Sequence, residues 1–195
     1  MTNLGNKRAL VTGASRGIGR ATAEIMAKAG AHVVVYYGKS KGEADSLVAD
    51  IRTRGGEADA VGSDLAGPQG VTDLATKVRG LTGDRLDIIV AKAGVSKAAR
   101  IGDYTLTDFD QLFATNVRAP FFLVQELLPL LREGSSIVVI TSLAARVSPG
   151  FPGQAGAPSI PAYAATKGAL ETSVKHWASL LGPSGIRVNA SARCD

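Results

Sequence analysis

Short apolar runs alternate along the chain with longer stretches in which apolar residues recur every three or four positions. A short apolar run between polar or glycine-rich segments is typical of a buried strand, and the wider spacing is typical of a helix with one buried face. This alternation favours a parallel sheet with helices on both faces. The runs predict strands near residues 7–12, 31–36, 57–62, 86–91, 136–141 and 186–190. The longer stretches predict helices near residues 17–29, 41–54, 68–81, 107–132 and 162–181.

No internal repeat or low-complexity linker divides this pattern, and 195 residues is an ordinary length for one domain. We therefore expect one α/β domain over residues 1–195, built on a doubly wound, Rossmann-like parallel sheet. No apolar stretch reaches the roughly 18 residues of a membrane-spanning helix. The start of the chain lacks the basic and then apolar pattern of a signal peptide. A cytoplasmic protein without a membrane span is the expectation.

A glycine-rich turn follows the first predicted strand at once, in the segment Gly13-Ala14-Ser15-Arg16-Gly17-Ile18-Gly19. Glycines let backbone N–H groups approach a diphosphate, and the N-terminus of the following helix is electropositive. The spacing G-x-x-x-G-x-G differs from the commoner G-x-G-x-x-G fingerprint, but its place between a strand and a helix is the same. The residues of this turn that we expect to bind a dinucleotide are Gly13, Ser15, Arg16, Gly17, Ile18 and Gly19.

The end of the second predicted strand indicates which dinucleotide is bound. Sites that prefer NAD usually carry an acidic residue there, which holds the ribose 2′-hydroxyl. This chain has Tyr37, Lys39 and Ser40 in that region and no carboxylate. Together with Arg16, Lys39 offers two cations for a 2′-phosphate, so NADP(H) is the predicted cofactor. The alternative is that Lys39 is an ordinary surface charge.

Tyr163 and Lys167 are four residues apart in a predicted helix and therefore lie on one face of it. A free phenol has a pKa of about 10, and a nearby cation lowers it toward neutral pH. This pair can thus serve acid–base chemistry, although a packed aromatic beside a solvated lysine has the same spacing. Ser142 ends the strand near 136–141, at the sheet edge where α/β sites lie. Ser142 could also merely end that strand.

These ordered motifs resemble the short-chain dehydrogenase/reductase family, most closely its 3-oxoacyl-[acyl-carrier-protein] reductase type. The resemblance runs from Lys7 to about Asn189. It implies NADP(H)-dependent reduction of a ketone or a 3-oxoacyl thioester to an alcohol by hydride transfer. The matching residues are Thr12 to Gly19, Asp64-Leu65, Asn116-Val117, Ser142, Tyr163 with Lys167, and Ile186-Arg187-Val188-Asn189.

The resemblance also implies a role for each of five residues. Tyr163 would give a proton to the developing alkoxide, and Lys167 would lower the pKa of that tyrosine and hold the nicotinamide ribose. Ser142 would donate a hydrogen bond to the substrate carbonyl. Asn116 would position a water that links Lys167 to solvent, or it could be a misfit that only kinks its helix. Asp64 would contact the adenine amino group, or it could be a simple turn residue.

The segment after the fourth predicted strand departs from the family pattern. The family usually has Asn-Asn-Ala-Gly there, and this chain has Ala91-Lys92-Ala93-Gly94. Ala93 and Gly94 are still expected to border the cofactor, as is Leu65 farther upstream. Lys92 would need an exit to solvent or an anionic partner.

Two further departures concern the substrate side. Residues 149–158, rich in glycine and proline, lie between Ser142 and Tyr163 and are expected to form a lid, a substrate wall or a disordered bulge at the site mouth. Relatives continue beyond the end of this chain, so we expect the last strand and the substrate flap to be missing. The strand near 186–190 would then be an exposed edge. The expected assembly is a homodimer through the helices near 107–132 and 162–181.

Composition narrows the classes of partner. The single cysteine, Cys194, excludes an internal disulfide and a cysteine metal cluster, and the two histidines are isolated, so we expect no metal site. The net charge of +5 is not accompanied by aromatic and basic interleaving, so nucleic acid is not an expected partner. An anionic dinucleotide explains this charge, and an acidic acyl carrier protein is a further candidate partner. The alternatives to an enzyme are a paralogue that binds NADP(H) or dimerises without turnover, and a non-functional fragment.

Overall fold

The computed structural model describes residues 3–148 and 159–193. Within these ranges, six parallel strands form one sheet in the order β3-β2-β1-β4-β5-β6. This order is that of a doubly wound Rossmann sheet, so the predicted fold class is confirmed. The strands are β1 (Arg8–Thr12), β2 (His32–Tyr37), β3 (Glu57–Gly62), β4 (Ile88–Ala91), β5 (Ser136–Ser142) and β6 (Arg187–Arg193).

Helices cover both faces of the sheet because each central strand is apolar on both sides. In β1, Ala9 and Val11 pack into one core with residues of α1 and α2, while Leu10 packs into a second core with α3, α5 and α6. All three of these β1 side chains are fully buried. The helices are α1 (Gly17–Lys28), α2 (Lys41–Thr53), α3 (Gly70–Thr82), α4 (Leu106–Phe113), α5 (Ala119–Leu127) and α6 (Pro161–Leu181).

The prediction of one continuous helix over residues 107–132 is wrong, because the helical segment is interrupted. The structure has α4, a π-helical turn over Ala114–Arg118, then α5, and a final 3₁₀ turn over Leu128–Leu130. Pro120 supplies the physical reason, because proline has no N–H to donate to the carbonyl of the residue four positions earlier. That residue is Asn116, at the centre of the π turn. The irregularity therefore falls on a predicted site residue.

The strand register brings the carboxyl ends of the strands to one edge of the sheet. Thr12 pairs with Tyr36 across β1 and β2, and Tyr37 pairs with Gly62 across β2 and β3. On the other side of β1, Ala91 at the end of β4 pairs with Val139 of β5. The turns that follow these strands carry most of the predicted site residues, so the sheet gathers them along one edge.

The opposite edge is braced by one buried carboxylate. Asp87 accepts hydrogen bonds from the Arg85 side chain at 2.6 Å, from the Arg8 backbone N–H at 2.9 Å and from Lys7 Nζ at 3.3 Å. Burial acts to raise the pKa of Asp87, but these hydrogen bonds outweigh it and leave the pKa below its ordinary value. The ionised carboxylate therefore ties the start of β1 to the segment before β4.

The strand β6 lies at the edge of the described sheet and runs beyond the predicted bounds 186–190. It pairs with β5 from Ser136 opposite Arg187 to Ser142 opposite Arg193. Residues 149–158 and Cys194 lie outside the described residues. Among the helices that the structure describes, none combines the length and apolarity needed to cross a membrane.

Candidate active site

The glycine turn after β1 has a backbone that other residues rarely adopt. Gly13 and Gly17 have φ angles of +65° and +56°. A side chain on Gly19 would place its Cβ only 2.2 Å from the carbonyl oxygen of Gly13, so a larger residue there would push α1 away from the turn. The Ala14 N–H donates to the Tyr36 carbonyl at 3.1 Å, which joins the turn to β2. The predicted turn is therefore formed and held against the sheet.

The N-terminus of α1 has the features of an anion site. The helix begins at Gly17 after the extended residue Arg16, and its first turn contains no acidic residue. Within the described part of the chain, no side chain caps its first N–H groups. Those N–H groups and the positive end of the helix dipole suit a phosphate.

Two tyrosines with different surroundings lie at the end of β2. Tyr36 is buried, donates its hydroxyl proton to the Ser63 carbonyl at 2.9 Å, and burial raises its pKa to about 12. The Tyr37 ring lies over Gly62, where a built Cβ would approach the ring to 2.5 Å. Exposed Lys39 follows β2, and Ser40 is the residue just before α2. These residues lie at the predicted 2′-phosphate position, and their contacts with a cofactor remain predictions.

Asp64 forms a turn after β3. Its Oδ1 accepts from the Ala66 N–H at 3.1 Å and its carbonyl accepts from the Gly67 N–H at 3.0 Å. The residue is exposed, while its neighbour Leu65 is buried in the core beside Tyr36. The turn role that the sequence left open for Asp64 is thus present, and the adenine contact remains a prediction.

Tyr163 and Lys167 lie together at the start of α6. The Lys167 ammonium is 5.6 Å from the centroid of the Tyr163 ring and donates to the Ile140 carbonyl at 2.9 Å. Lys167 is only 4% exposed, which is unusual for a lysine and ties it to this position. Both side chains line a cavity of about 150 Å³ that also reaches Ile18 in the first turn of α1. The predicted acid–base pair and the predicted anion site therefore share one cavity.

Asn116 is fully buried in the π turn and holds the loop after β4. Its Oδ1 accepts from the Val95 N–H at 2.8 Å, and its Nδ2 donates to the Val95 carbonyl at 2.8 Å and to Thr166 Oγ1 at 3.1 Å. Gly94 lies between Asn116 and Lys167. A Cβ placed on Gly94 would be 3.1 Å from Asn116 Oδ1 and 3.7 Å from Lys167 Nζ. Asn116 thus positions the loop that borders the lysine, and it does more than kink a helix.

Ser142 is buried at the end of β5, and its Oγ accepts from the Ala144 N–H at 3.2 Å. That bond uses an acceptor lone pair of the hydroxyl and not its proton. Of the described residues, the cavity is lined by Thr141 and not by Ser142. The part of the Ser142 prediction that concerns a substrate carbonyl therefore remains a prediction.

Three residues of this region were not predicted from the sequence as site residues. Thr12 Oγ1 accepts from the N–H groups of Lys92 and Ala93, both at 2.9 Å, and so holds the end of β1 against the segment after β4. Thr166 Oγ1 accepts a hydrogen bond from the Asn116 amide and donates one to the Tyr163 carbonyl at 2.6 Å. Lys92 lines the cavity. The bonds of Thr12 to the segment after β4 and of Asn116 to Thr166 gave no local signal, because they join residues that are distant in sequence.

A larger cavity of about 450 Å³ lies at the opposite edge of the sheet, beside Arg8, His32 and Glu57. None of the predicted site residues lines it. We assign the site to the smaller cavity because Ile18 of the first turn of α1 and the Tyr163–Lys167 pair both line it. Among the residues that the structure describes, no three side chains of metal-ligand type gather at either edge.

Two buried hydroxyls test whether this edge suits a polar ligand. Ser63 Oγ and Thr141 Oγ1 have no hydrogen-bond partner among the described residues. Ser63 follows β3 and Thr141 is near the end of β5, so both lie at the carboxyl edge. Buried hydroxyls without partners are rare, because burial without a hydrogen bond costs free energy. A ligand with polar groups along this edge supplies partners for them, so the residues fit a bound dinucleotide.

Comparison with known proteins then decides the family. The family model described as short chain dehydrogenase matches residues 7–193. The chain belongs to this family. Versicolorin reductase stcU from Emericella nidulans is 37% identical to it over 189 residues, which are 97% of this chain and 69% of the relative.

Solved structures of short-chain dehydrogenases agree with this assignment. A short-chain dehydrogenase from Burkholderia cenocepacia J2315, in complex with NADP, is 40% identical with a TM-score of 0.89, and the match covers 96% of this chain and 74% of that one. The landomycin C-6 ketoreductase LanV, with bound NADP and rabelomycin, is 38% identical with a TM-score of 0.88, covering 97% of this chain and 76% of that one. The prediction of the short-chain dehydrogenase/reductase family is confirmed, while its 3-oxoacyl reductase type stays a prediction.

Proposed function

We propose that the chain is an NADP(H)-dependent oxidoreductase that reduces a ketone or a 3-oxoacyl thioester to an alcohol. The observation that carries this proposal is the shared cavity, which joins Tyr163 and Lys167 to the first turn of α1 at Ile18. Carbonyl reduction needs a hydride donor, a proton donor and a group that polarises the carbonyl. A glycine-rich anion site suits binding of a dinucleotide as the hydride donor, and a tyrosine beside a buried lysine suits the role of proton donor.

The cofactor we propose is NADP(H) rather than NAD(H). The absence of a carboxylate after β2 supports this preference, as do Arg16 before α1 and Lys39 after β2. The relatives from B. cenocepacia and LanV were both solved with NADP. The residues proposed to hold the dinucleotide are Gly13, Ser15, Arg16, Gly17, Ile18, Gly19, Tyr37, Lys39, Ser40, Asp64, Leu65, Ala93, Gly94, Tyr163 and Lys167.

The proposed mechanism uses four side chains. NADPH supplies the hydride when it is bound. Tyr163 donates a proton to the oxygen of the reduced carbonyl, and the Lys167 ammonium favours the phenolate that remains because the two lie close together. The Ser142 hydroxyl keeps its proton and donates a hydrogen bond to the carbonyl oxygen, which stabilises the negative charge that develops there. Asn116 fixes the loop against Lys167 and, as proposed from the sequence, positions a water that returns the proton.

The substrate class is proposed from the names of the relatives. Versicolorin reductase and a C-6 ketoreductase crystallised with rabelomycin are named for small-molecule reduction. A small ketone is therefore the first substrate to test. The 3-oxoacyl thioester and an acyl carrier protein partner remain predictions from the sequence.

We also propose a homodimer through α4, α5 and α6. Phe122 of α5 is 44% exposed and Leu180 of α6 is 72% exposed. Phe121 packs on Trp177 at 5.5 Å between ring centroids, which joins the two helices into one apolar face. Exposed apolar patches on soluble proteins often mark interfaces. Light scattering at micromolar concentration should give twice the chain mass, and a clean monomer or tetramer would contradict this assembly.

The cofactor preference is tested by replacing Arg16 and Lys39 together with alanine. If these cations hold a 2′-phosphate, the dissociation constant of NADPH should rise about 10- to 100-fold, as for the loss of one or two charge-assisted hydrogen bonds. The dissociation constant of NADH should change by less than about threefold. Lys41 offers a matched control, since it lies two residues after Lys39 but is paired with Asp45 at 2.5 Å. Equal losses for both cofactors in the double variant would contradict the assignment.

A further inference from the structure

Lys92 follows β4 directly and is held over the glycine turn. Its backbone N–H donates to Thr12 Oγ1 at 2.9 Å. Its Cδ lies 3.2 Å from the point that a Cβ on Gly13 would occupy. The methylene stem of Lys92 therefore runs across the first glycine of the turn, and a side chain at residue 13 would press against it.

The cavity that Lys92 lines is the one already assigned to the active site. Ile18 of the α1 first turn, Tyr163 and Lys167 line it as well. Two of its lining residues are lysines, and no aspartate or glutamate is among the described residues that line it. The unpartnered hydroxyl of Thr141, a residue only 2% exposed, also borders the cavity. A site with this balance of charge and hydroxyl groups suits an anion with several acceptor oxygens.

We propose that Lys92 binds the diphosphate of the dinucleotide, from the side of the sheet that faces the N-terminus of α1. This inference rests on the proposed dinucleotide function. The 2′-phosphate is the other anionic group of NADPH, but its proposed ligand Lys39 follows β2, two strands away from β4 in the sheet order. Neighbouring strands are about 4.8 Å apart, so these sites are about 10 Å apart. The Lys92 stem lies on the phosphate turn, which favours the diphosphate over a substrate anion.

A contact with the diphosphate predicts a particular pattern of affinities. NADPH, NADH and ADP-ribose share the diphosphate, and ADP-ribose lacks both the 2′-phosphate and the nicotinamide. Loss of the Lys92 charge should therefore weaken all three by a similar factor, about tenfold for one charge-assisted contact. This differs from the pattern for Arg16 and Lys39, whose loss weakens NADPH alone.

The experiment measures binding of NADPH, NADH and ADP-ribose by calorimetry, in the wild-type chain and in Lys92→Met and Lys92→Gln. Methionine keeps an apolar stem over Gly13, glutamine keeps a polar end, and neither carries the charge. Lys28→Met is the matched control, because Lys28 is exposed at the far end of α1. Circular dichroism and the thermal midpoint verify that each variant is folded. We expect both Lys92 variants to lose about tenfold for every ligand, with a smaller difference from wild type at 1 M KCl.

The outcomes separate this inference from the proposed function. If the wild-type chain binds none of the three ligands, the dinucleotide function itself fails. If the wild-type chain binds them and both Lys92 variants bind equally well, the inference alone is overturned. A loss confined to NADPH would place Lys92 at the 2′-phosphate, and a loss in Lys92→Gln but not in Lys92→Met would show an effect of the apolar stem rather than of the charge. Either result overturns the diphosphate contact.

Discussion

Replacing Asn116 tests the link between the π turn and the active-site loop. Asn116→Ala removes three hydrogen bonds, two of them to the backbone of Val95. A buried polar group that loses its partner costs about 1–3 kcal/mol. Both bonds to Val95 are only partly buried, so the cost for each of its two backbone groups falls toward the lower end of this range, about 1 kcal/mol. Thr166 keeps its bond to the Tyr163 carbonyl. We therefore expect Asn116→Ala to lower the free energy of unfolding by about 2 kcal/mol.

Asn116→Asp is the sharper variant because it is nearly isosteric. One carboxylate oxygen still accepts from the Val95 N–H, but the other replaces the Nδ2 donor and faces the Val95 carbonyl. Burial and this acceptor–acceptor contact favour the protonated carboxyl, while the Lys167 ammonium on the other side of Gly94 favours the ionised form. We expect the first two effects to prevail, so that the folded pKa lies above the unfolded value of about 3.9. The folded state then binds the proton more tightly, and the stability of this variant falls as pH rises through the folded pKa. At pH 8 we expect it to be less stable than Asn116→Ala by at least about 1 kcal/mol.

The assay is urea unfolding of the wild type, Asn116→Ala and Asn116→Asp between pH 5 and pH 8, beside NADPH-dependent turnover. The stability gap between Asn116→Asp and the wild type should narrow as pH falls. Turnover of both variants at a temperature where they are fully folded should still fall, because the loop of Val95 and Gly94 borders Lys167. A stability gap that does not depend on pH, or full turnover in Asn116→Ala, would refute this reasoning.

Two further substitutions test other parts of the structure. Asp87→Asn should lower the free energy of unfolding at pH 7 by about 1–3 kcal/mol, because it weakens the bonds from Arg85 and neighbouring donors. Since the pKa of Asp87 is lowered in the fold, that difference should begin to shrink as pH falls below about 5 and should be lost only below the folded pKa, measured by urea unfolding; a difference that does not change with pH would contradict the role of its charge. Gly62→Ala should displace the Tyr37 ring and raise the dissociation constant of NADPH about threefold or more by titration. Gly80→Ala is the control: nothing lies within 4 Å of a Cβ placed on Gly80, so this variant should leave the dissociation constant of NADPH unchanged.

The strands and most helices could be predicted from the sequence because their signals are local. Six valines and isoleucines in β2 and β4, for example, form short apolar runs that are typical of a buried parallel sheet. The helix over 107–132 was predicted as continuous because its apolar spacing does not change across Asn116. Pro120 gave a signal for the interruption, since proline inside a helical pattern breaks the bond to the residue four positions earlier.

Only part of the candidate site could be predicted, because many of its contacts join segments that are distant in sequence. Tyr163 and Lys167 share a helix, so their proximity follows from a spacing of four residues. The bond from Lys167 to the Ile140 carbonyl, and the bonds of Thr12 and Asn116, join segments that are far apart in sequence. Such contacts depend on how the elements pack and leave no local pattern. The assignment of residues 1–195 to one domain stays a prediction.

The most direct test of the account is NADPH oxidation by the wild-type chain and by Tyr163→Phe, with a small ketone and a 3-oxoacyl thioester as substrates. The wild type should oxidise NADPH with at least one of them. Tyr163→Phe should lose at least about 100-fold in kcat, because it lacks the proton donor. Since it keeps the aromatic ring, its dissociation constant for NADPH should change by less than about threefold. If the phenylalanine variant retains most of the wild-type kcat, Tyr163 is not the proton donor and the proposed mechanism is wrong.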